Sequence, residues 1–230
     1  MARYWEVDFA RGVAVILMLL FHFYFDSYYF GKIQLEGFFW YLFPRIIGGM
    51  FIFISGVTFT FSYKGFRHAL RRSAKFGAIA LGITAATYLI SAEEFVLFGI
   101  IHFFCLASLL AVFFAGKKKL SFLLGLSIAI FGFYIQQFRF QVAYFSWLGF
   151  IPEGFRTLDY YPIMPWFGVF LLGMTFGYRI NLKIKNYREN LVSFLGRHSL
   201  IVYLIQHPII VILLQLYYGD IFGILIEKNF

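Results

Sequence analysis

The sequence predicts an all-α fold, a polytopic membrane bundle of about seven transmembrane helices, and three observations predict it. The 230 residues are 61% apolar and only 13% charged, against roughly 45–50% and about 25% in ordinary soluble domains. The chain carries 34 Phe, 16 Tyr and 4 Trp. A soluble interior of this size cannot hide them, because the buried fraction is set by chain length and large exposed apolar patches associate. The apolar residues also fall in runs of about 20, the length a helix needs to cross a bilayer. Lipid is therefore part of the solvent. A single domain over 1–230 is expected, at the cell membrane and crossing it several times.

Seven stretches qualify or nearly do: 9–29, 43–63, 74–91, 95–115, 119–138, 162–180 and 198–217. The first is too long for a secretory signal, lacks a small-residue cleavage site and carries His22 and Asp26, so it reads as a membrane helix. In the second, Gly48, Gly49 and Gly56 with Ser55 read as close helix packing. The third follows a basic cluster, the fourth holds His102 and Cys105, and the fifth follows three lysines. The longest connection, 139–161, leads into Tyr-Tyr-Pro-Ile-Met-Pro-Trp at 160–166. Two prolines so close oppose a regular helix start. Irregular backbone at membrane depth is tolerated only where protein buries it or it lines a cavity. The seventh stretch holds His207 followed by Pro208, which frees a carbonyl of the preceding turn. No internal repeat is visible, which weakens an inverted-repeat transporter reading.

Orientation follows from the cations, which short cytoplasmic loops retain. One side receives Arg3, Arg11, Lys64, Arg67, Arg71, Arg72, Lys75, Lys117, Lys118, Lys119, Arg179, Lys183, Lys185, Arg188 and Arg197, 15 of the 20 Lys and Arg. The N-terminus is expected inside and the C-terminus outside. The formal charge of +9 then reflects loop asymmetry first and an anionic ligand second. The basic residues sit in short clusters between apolar runs, so no nucleic-acid partner is expected. Cys105 is the lone cysteine, which excludes an internal disulfide.

Ionisable groups inside spans are costly and face a cavity or a partner, which makes them functional candidates. His22 and Asp26 lie at i and i+4, on one face of the first helix. His22 sits about seven residues, roughly 10 Å, below the outer surface, and His102 on the oppositely running fourth helix sits at a similar depth. Two imidazoles share one level. Arg45 opens the second helix at the level of Asp26. Plainer readings stand beside these: an intrahelical pair that orders the bundle, or a core histidine bonded to a carbonyl. His207, nearer the midplane, reads as structural, and His68 and His198 as solvated groups at the cytoplasmic rim. Cys105 at i+3 from His102 permits a Cys–His pair, but a buried cysteine is usually a small hydrophobe. No two histidines share a helix face at ligand spacing, so no metal is expected. Glu153, Arg156 and Asp159, with Trp166, cap or line an outward pocket on one reading. On the other they form an interfacial loop anchored by Trp147 and Trp166.

The segment Glu6-Val7-Asp8-Phe9-Ala10-Arg11-Gly12-Val13-Ala14, running into Met18 and His22, resembles the opening of transmembrane acyltransferases. The likeness is to prokaryotic relatives of heparan-alpha-glucosaminide N-acetyltransferase in particular. Phe51-Ile52-Phe53-Ile54-Ser55-Gly56-Val57, Phe98-Gly99-Ile100-Ile101-His102, Tyr161-Pro162-Ile163-Met164-Pro165-Trp166-Phe167-Gly168 and Leu195-Gly196-Arg197-His198-Ser199-Leu200 agree in order over nearly the whole chain. The resemblance implies transfer of an acetyl or other acyl group from cytosolic acyl-coenzyme A to an acceptor across the membrane, a sugar amine or hydroxyl. The lipid bilayer, acyl-CoA, a small glycan and a second copy of the chain are the partners it allows.

The residues suit such chemistry. Attack on a thioester needs a base near neutral pKa, which histidine supplies. A carboxylate one turn away holds the productive tautomer. His22 is the expected base, Asp26 its orienter and His102 a second catalytic imidazole. Phosphates of coenzyme A need cations, and Arg11, Arg67, Arg71, Arg72, Arg179, Arg188, Arg197 and His198 are the candidates, although positive-inside topology alone places most of them there. Arg45, Glu153, Arg156, Asp159 and Trp166 are candidates for the acceptor side. Two other classes compete: a proton-coupled transporter or channel using His22, Asp26 and His102 as a relay, and a non-catalytic membrane subunit.

Overall fold

The computed structural model describes residues 4–141, 143–180 and 190–227. It contains α1 (Trp5–Tyr29), α2 (Gly37–Ser62), α3 (Phe66–Ile90) and α4 (Ile100–Leu110), the last continued by the 3-10 turn Ala111–Phe114. α5 (Lys118–Ile135), the 3-10 turn Ser146–Leu148, α6 (Ile163–Gly177), α7 (Leu191–Arg197), α8 (Ser199–Tyr218) and α9 (Ile221–Glu227) follow. Each of the seven apolar stretches carries one of these helices. Five of them, α1, α2, α3, α5 and α8, are long and apolar enough to cross a membrane, while α4 with its 3-10 turn and α6 are shorter apolar helices.

α1, α2 and α3 start earlier than the sequence reading has them, for one reason: hydropathy marks where lipid begins, not where the helix does. α4 starts later, at Ile100, so His102 lies on its first turn and not deep along the helix. α2 begins at Gly37 and takes Pro44 into its body. α3 begins at Phe66, so Arg67, Arg71, Arg72 and Lys75 ride on its first turns and not in a loop. Gly65, at φ 101, makes the turn that lets the helix start there, a backbone region open chiefly to glycine. α7 was not foreseen at all. Its seven residues are too few for a periodicity signal, but Asn190 starts it: the side chain accepts from the Ser193 amide at 2.8 Å, and the Asn190 amide donates back to Ser193 Oγ at 3.1 Å, a reciprocal cap.

The chain divides into two compact units, Met1–Phe51 with Asn181–Phe230, and Ile52–Ile180. In the first unit α1 is flanked by α7 and α8. α7 runs antiparallel to the start of α1, with Gly12 against the Val192 carbonyl and Gly196 against the Asp8 carbonyl. These are the glycines of the Arg-Gly and Leu-Gly-Arg-His-Ser segments, and their missing side chains let the two backbones touch. α8 then runs parallel to α1. Val15 and Met18 share a cluster with Val202 and Tyr203. Farther along, Phe30 packs with Ile210, Leu214 and Ile221. Beyond the end of α1, Lys32 pairs with Asp220 at 2.5 Å.

In the second unit α6 lies between the C-terminal half of α2 and α5. Gly56 meets the Phe170 carbonyl, Gly173 the Phe53 carbonyl, and Gly168 the backbone of Gly125 and Ala129. The irregular α6 start expected from its prolines is present: Met164 keeps an extended backbone at φ −98, ψ 129. Its carbonyl is satisfied by Gln136 Nε2 at 3.1 Å, as buried irregular backbone requires.

The glycine contacts generate a contrast. Gly196→Ala should lower stability by about 1–3 kcal/mol, because the added methyl meets backbone that cannot swing aside. Gly82→Ala, in the body of α3 with nothing within 4 Å of its Cβ position, should be neutral or gain up to ~1 kcal/mol. Thermal unfolding of both in one detergent checks the pair.

Candidate functional site

The polar centre of the first unit is assembled from two helices. Asp26, on the last turn of α1, is only 5% exposed, and both of its carboxylate oxygens lie near one atom, His207 Nδ1 on α8, at 3.1 and 3.0 Å. A carboxylate accepts, so Nδ1 carries the proton, and in the neutral ring Nε2 keeps its lone pair. The His207 side chain is 46% exposed while that of Asp26 is 8% exposed, so an oriented imidazole stands at the surface on a buried acid. His22, one turn below Asp26 on α1, brings its ring to 4.5 Å from the His207 ring, inclined at 53°.

This differs from the sequence reading in one respect. Asp26 was expected to hold His22, its i+4 neighbour. The carboxylate holds His207, because α8 delivers an imidazole that meets a short aspartate at hydrogen-bond distance. The His22 Nδ1 atom is buried without a hydrogen-bond partner. Next to the His22 ring, and interacting with it through its side chain, stands Gln206, 2% exposed. His207 and Gln206 are thus the site residues that sequence reasoning missed. A signal existed: a carboxylate inside a span normally has its partner on another helix, and His207 is an imidazole on another span.

The remaining candidates distribute between the units. In the first, Arg11 pairs with Asp8 at 3.6 Å, Arg197 closes α7, and His198 Nδ1 donates to the Phe194 carbonyl at 2.9 Å where α7 turns into α8. These three occupy one end of the unit, together with the start of α1. Arg45 donates to the Tyr41 carbonyl at 2.6 Å and lies over the Tyr41 ring at 3.8 Å. Arg188 lies outside the described residues.

In the second unit Arg67 and Arg71 are exposed on the first turns of α3 and Arg179 is exposed just after α6. Arg72 lies 5.5 Å over the Phe76 ring. His102, which the reading paired in depth with His22, belongs to this unit, and both of its nitrogens are engaged. Thr84 Oγ1 gives its proton to the Val96 carbonyl at 2.8 Å, so at 3.0 Å from His102 Nε2 it accepts. Nδ1 in turn accepts from the Gly99 amide at 3.3 Å. Asp159 accepts from the Ile100 amide at 2.9 Å, capping α4 at the end where its dipole favours an anion. Glu153 and Arg156 are exposed in the connection between α5 and α6. Trp166, read as a rim or acceptor residue, is 4% exposed and packs on Phe133 and Tyr161 at 5.8 and 5.0 Å. Among the described residues, no group of three or more His, Cys, Asp or Glu is arranged to hold a metal ion.

In chemical terms the first unit contains an acid–imidazole pair whose second ring nitrogen points away from the acid, a second imidazole in ring contact, and a buried carboxamide beside it. Orienter and base at hydrogen-bond distance are the components of general base catalysis. A family model described as heparan-alpha-glucosaminide N-acetyltransferase, catalytic, matches residues 3–208, a range that begins before α1 and includes Gln206 and His207. No curated protein and no solved structure matches the chain.

Two measurements check this geometry. In ¹⁵N-histidine spectra of the purified protein, His207 should appear as the Nδ1–H tautomer, and Asp26→Asn should shift it toward Nε2–H, the usual preference of a free ring. In the connection between α5 and α6 the Tyr160 hydroxyl donates to the Ser146 carbonyl at 2.7 Å. Burial pushes its pKa up, with Arg139 opposing. The neutral phenol is therefore favoured by folding, a contribution that is complete below about pH 10 and lost as pH rises through the folded value. The melting temperature of the parent should consequently fall more steeply above about pH 10 than that of Tyr160→Phe.

Proposed function

The chain belongs to the heparan-alpha-glucosaminide N-acetyltransferase catalytic family, and from that premise we propose that it is a membrane acyltransferase that takes its acyl group, acetyl in the first instance, from cytosolic acyl-coenzyme A. The acceptor is a sugar amine or hydroxyl on the opposite side of the cell membrane. The chain crosses the bilayer seven times with its N-terminus inside, as the 15 cations gathered on one side support. The observation that carries the reading is the His207–Asp26 pair in ring contact with His22.

His207 Nε2, with its lone pair free, accepts the proton of the acceptor amine or hydroxyl as that group attacks the thioester carbonyl carbon. Asp26 holds the tautomer and stabilises the imidazolium that forms. A carbon–nitrogen or carbon–oxygen bond forms, the carbon–sulfur bond breaks, and the imidazolium returns its proton to the departing thiolate. Acyl thioester and acceptor become acylated acceptor and free thiol, with no oxidant or metal in the balance. His22, buried against the His207 ring, fixes the depth and tilt of that ring. His102, with both nitrogens engaged, holds the start of α4.

The donor's phosphates need cations. Arg11, Arg197 and His198 at the cytosolic end of the first unit, and Arg67, Arg71, Arg72 and Arg179 in the second, are the groups available for them, with Arg188 a further candidate. From Arg11 to His22 along α1 is ~16 Å at the helical rise, a span that a pantetheine arm covers. Arg45, Glu153, Arg156 and Asp159 remain the acceptor-side candidates, and Trp166 supports them from within the core.

His207→Ala should lower acyl transfer in sealed vesicles by at least ~10²-fold while coenzyme A still raises the melting temperature. His22→Ala should lower it less. Full transfer by His207→Ala would overturn the assignment of the base. A proton current coupled to a solute, with no stabilisation by coenzyme A, would move the same three side chains into a transporter.

A further inference from the structure

α3 carries its charge on its exposed face. The buried residues of the helix are Ala69, Ser73 and Ala80, and Ser73 Oγ donates to the Cys105 carbonyl of α4 at 2.9 Å, so that side packs on α4. Arg67, Arg71 and Lys75 follow one another at i+4 spacing, within ~80° of arc, and stand about half a turn round from the packed side. All three are exposed, and the same stripe runs on through Ala78, Gly82 and Leu89, exposed as well. These cations have no acid of their unit beside them. The sequence holds no Asp or Glu between Ile52 and Ala92. Glu93, Glu94, Glu153 and Asp159, the acids of the unit, belong to the connections at the other end of α3, where the Leu158 amide donates to the Glu94 carbonyl at 2.9 Å. In the first unit, by contrast, Arg11 has Asp8 at 3.6 Å. Positive-inside topology asks for cations on one side of the membrane, not on one stripe of a helix. The stripe is also a costly place for them, because like charges at i+4 repel and the start of a helix disfavours cations.

A stripe that is cationic over its first turns and apolar beyond them has the profile of a lipid leaflet, anionic headgroup first and acyl chain after it. Phe66 and Leu70, 59% and 47% exposed beside the cations, add apolar contacts at the same boundary. We propose that Arg67, Arg71 and Lys75 bind the phosphate of an anionic phospholipid, whose acyl chains lie along the stripe past Ala78 and Gly82. The guanidinium forks take phosphate oxygens in pairs. Lys75, one turn deeper, reaches back to the headgroup on its flexible stem. In the orientation proposed above, the lipid belongs to the cytosolic leaflet. A soluble donor suits this stripe poorly, since its arm has to enter the protein while these side chains face away from the helix that α3 packs on. Arg72, over the Phe76 ring at 5.5 Å, and Arg179 are left for the donor's phosphates.

Native mass spectrometry tests this on full-length protein released from nanodiscs of phosphatidylcholine and phosphatidylglycerol in equal parts. The parent should retain phosphatidylglycerol in preference to phosphatidylcholine. Arg71→Gln should lower that preference about fivefold, the share of one cation near an anionic surface. The triple variant Arg67→Gln, Arg71→Gln, Lys75→Gln should bring it close to parity, and Arg67→Lys with Arg71→Lys should keep most of it. A parent that retains both lipids equally, or a triple variant with the parent's preference, overturns the proposal. Adenosine 3′,5′-bisphosphate, the nucleotide end of coenzyme A, should leave the retained phosphatidylglycerol in place. Displacement by it overturns the proposal in favour of the soluble donor, and a parent dimer that the triple variant abolishes overturns it in favour of a second copy of the chain. Should the triple variant not fold, the parent and Arg71→Gln decide. A parent that shows the lipid preference but transfers no acyl group overturns the acyltransferase reading and leaves this inference standing.

Discussion

A carboxylate in an apolar helix needs a partner, and the answer Asp26 finds in His207 organises the first unit. The bond reaches across 181 residues of sequence and ties α8 alongside α1 at a single register. Below it, the glycines at 12 and 196 let α7 lie backbone to backbone on the start of α1. Beyond it, the Lys32–Asp220 pair closes the end of the unit past the last turn of α1. Moving α8 by one residue along α1 would rotate His207 by about 100° away from Asp26 and leave a buried charge unpaired, which costs more than most packing defects.

The second unit solves a different problem with similar means. Its helices gain little from burying apolar surface against one another when lipid is equally apolar, so association rests on close packing and hydrogen bonds. Gly56, Gly168 and Gly173 let α6 approach both neighbours to backbone contact. The two polar networks, Thr84–His102–Gly99 and Asp159 on the α4 amides, satisfy the loop that precedes α4. His102 is occupied by this work, whereas His207 is oriented and open. The difference between the two histidines lies in what the second ring nitrogen meets.

Chemistry and architecture meet on α8. Gln206 faces inward and His207 is exposed, as successive residues on a helix must be when their directions differ by about 100°. One turn therefore presents both a buried carboxamide and an open imidazole, while α1 contributes the carboxylate and the second ring. Pro208, next in sequence, cannot donate to the carbonyl one turn back, which frees a backbone acceptor at the same level. The cations at the far end of the same unit, Arg11 and Arg197, lie along the course of α1 from this centre.

Composition and the length of its apolar runs by themselves determined that this chain is a helical membrane protein, where its apolar helices lie, and which few ionisable groups sit inside them. They did so because lipid tolerates few exceptions, and each exception is visible in the sequence. The same rules placed the irregular start of α6, since proline restricts its own backbone and its neighbour's wherever they are. Tertiary structure alone decided which of those ionisable groups touch. His22 and Asp26 are neighbours on one helix, yet the carboxylate turned to a residue far away in sequence, and His102 was absorbed by a threonine on α3. A hydrogen bond depends on distances of a few tenths of an ångström between helices, and helix periodicity carries no information about what stands opposite.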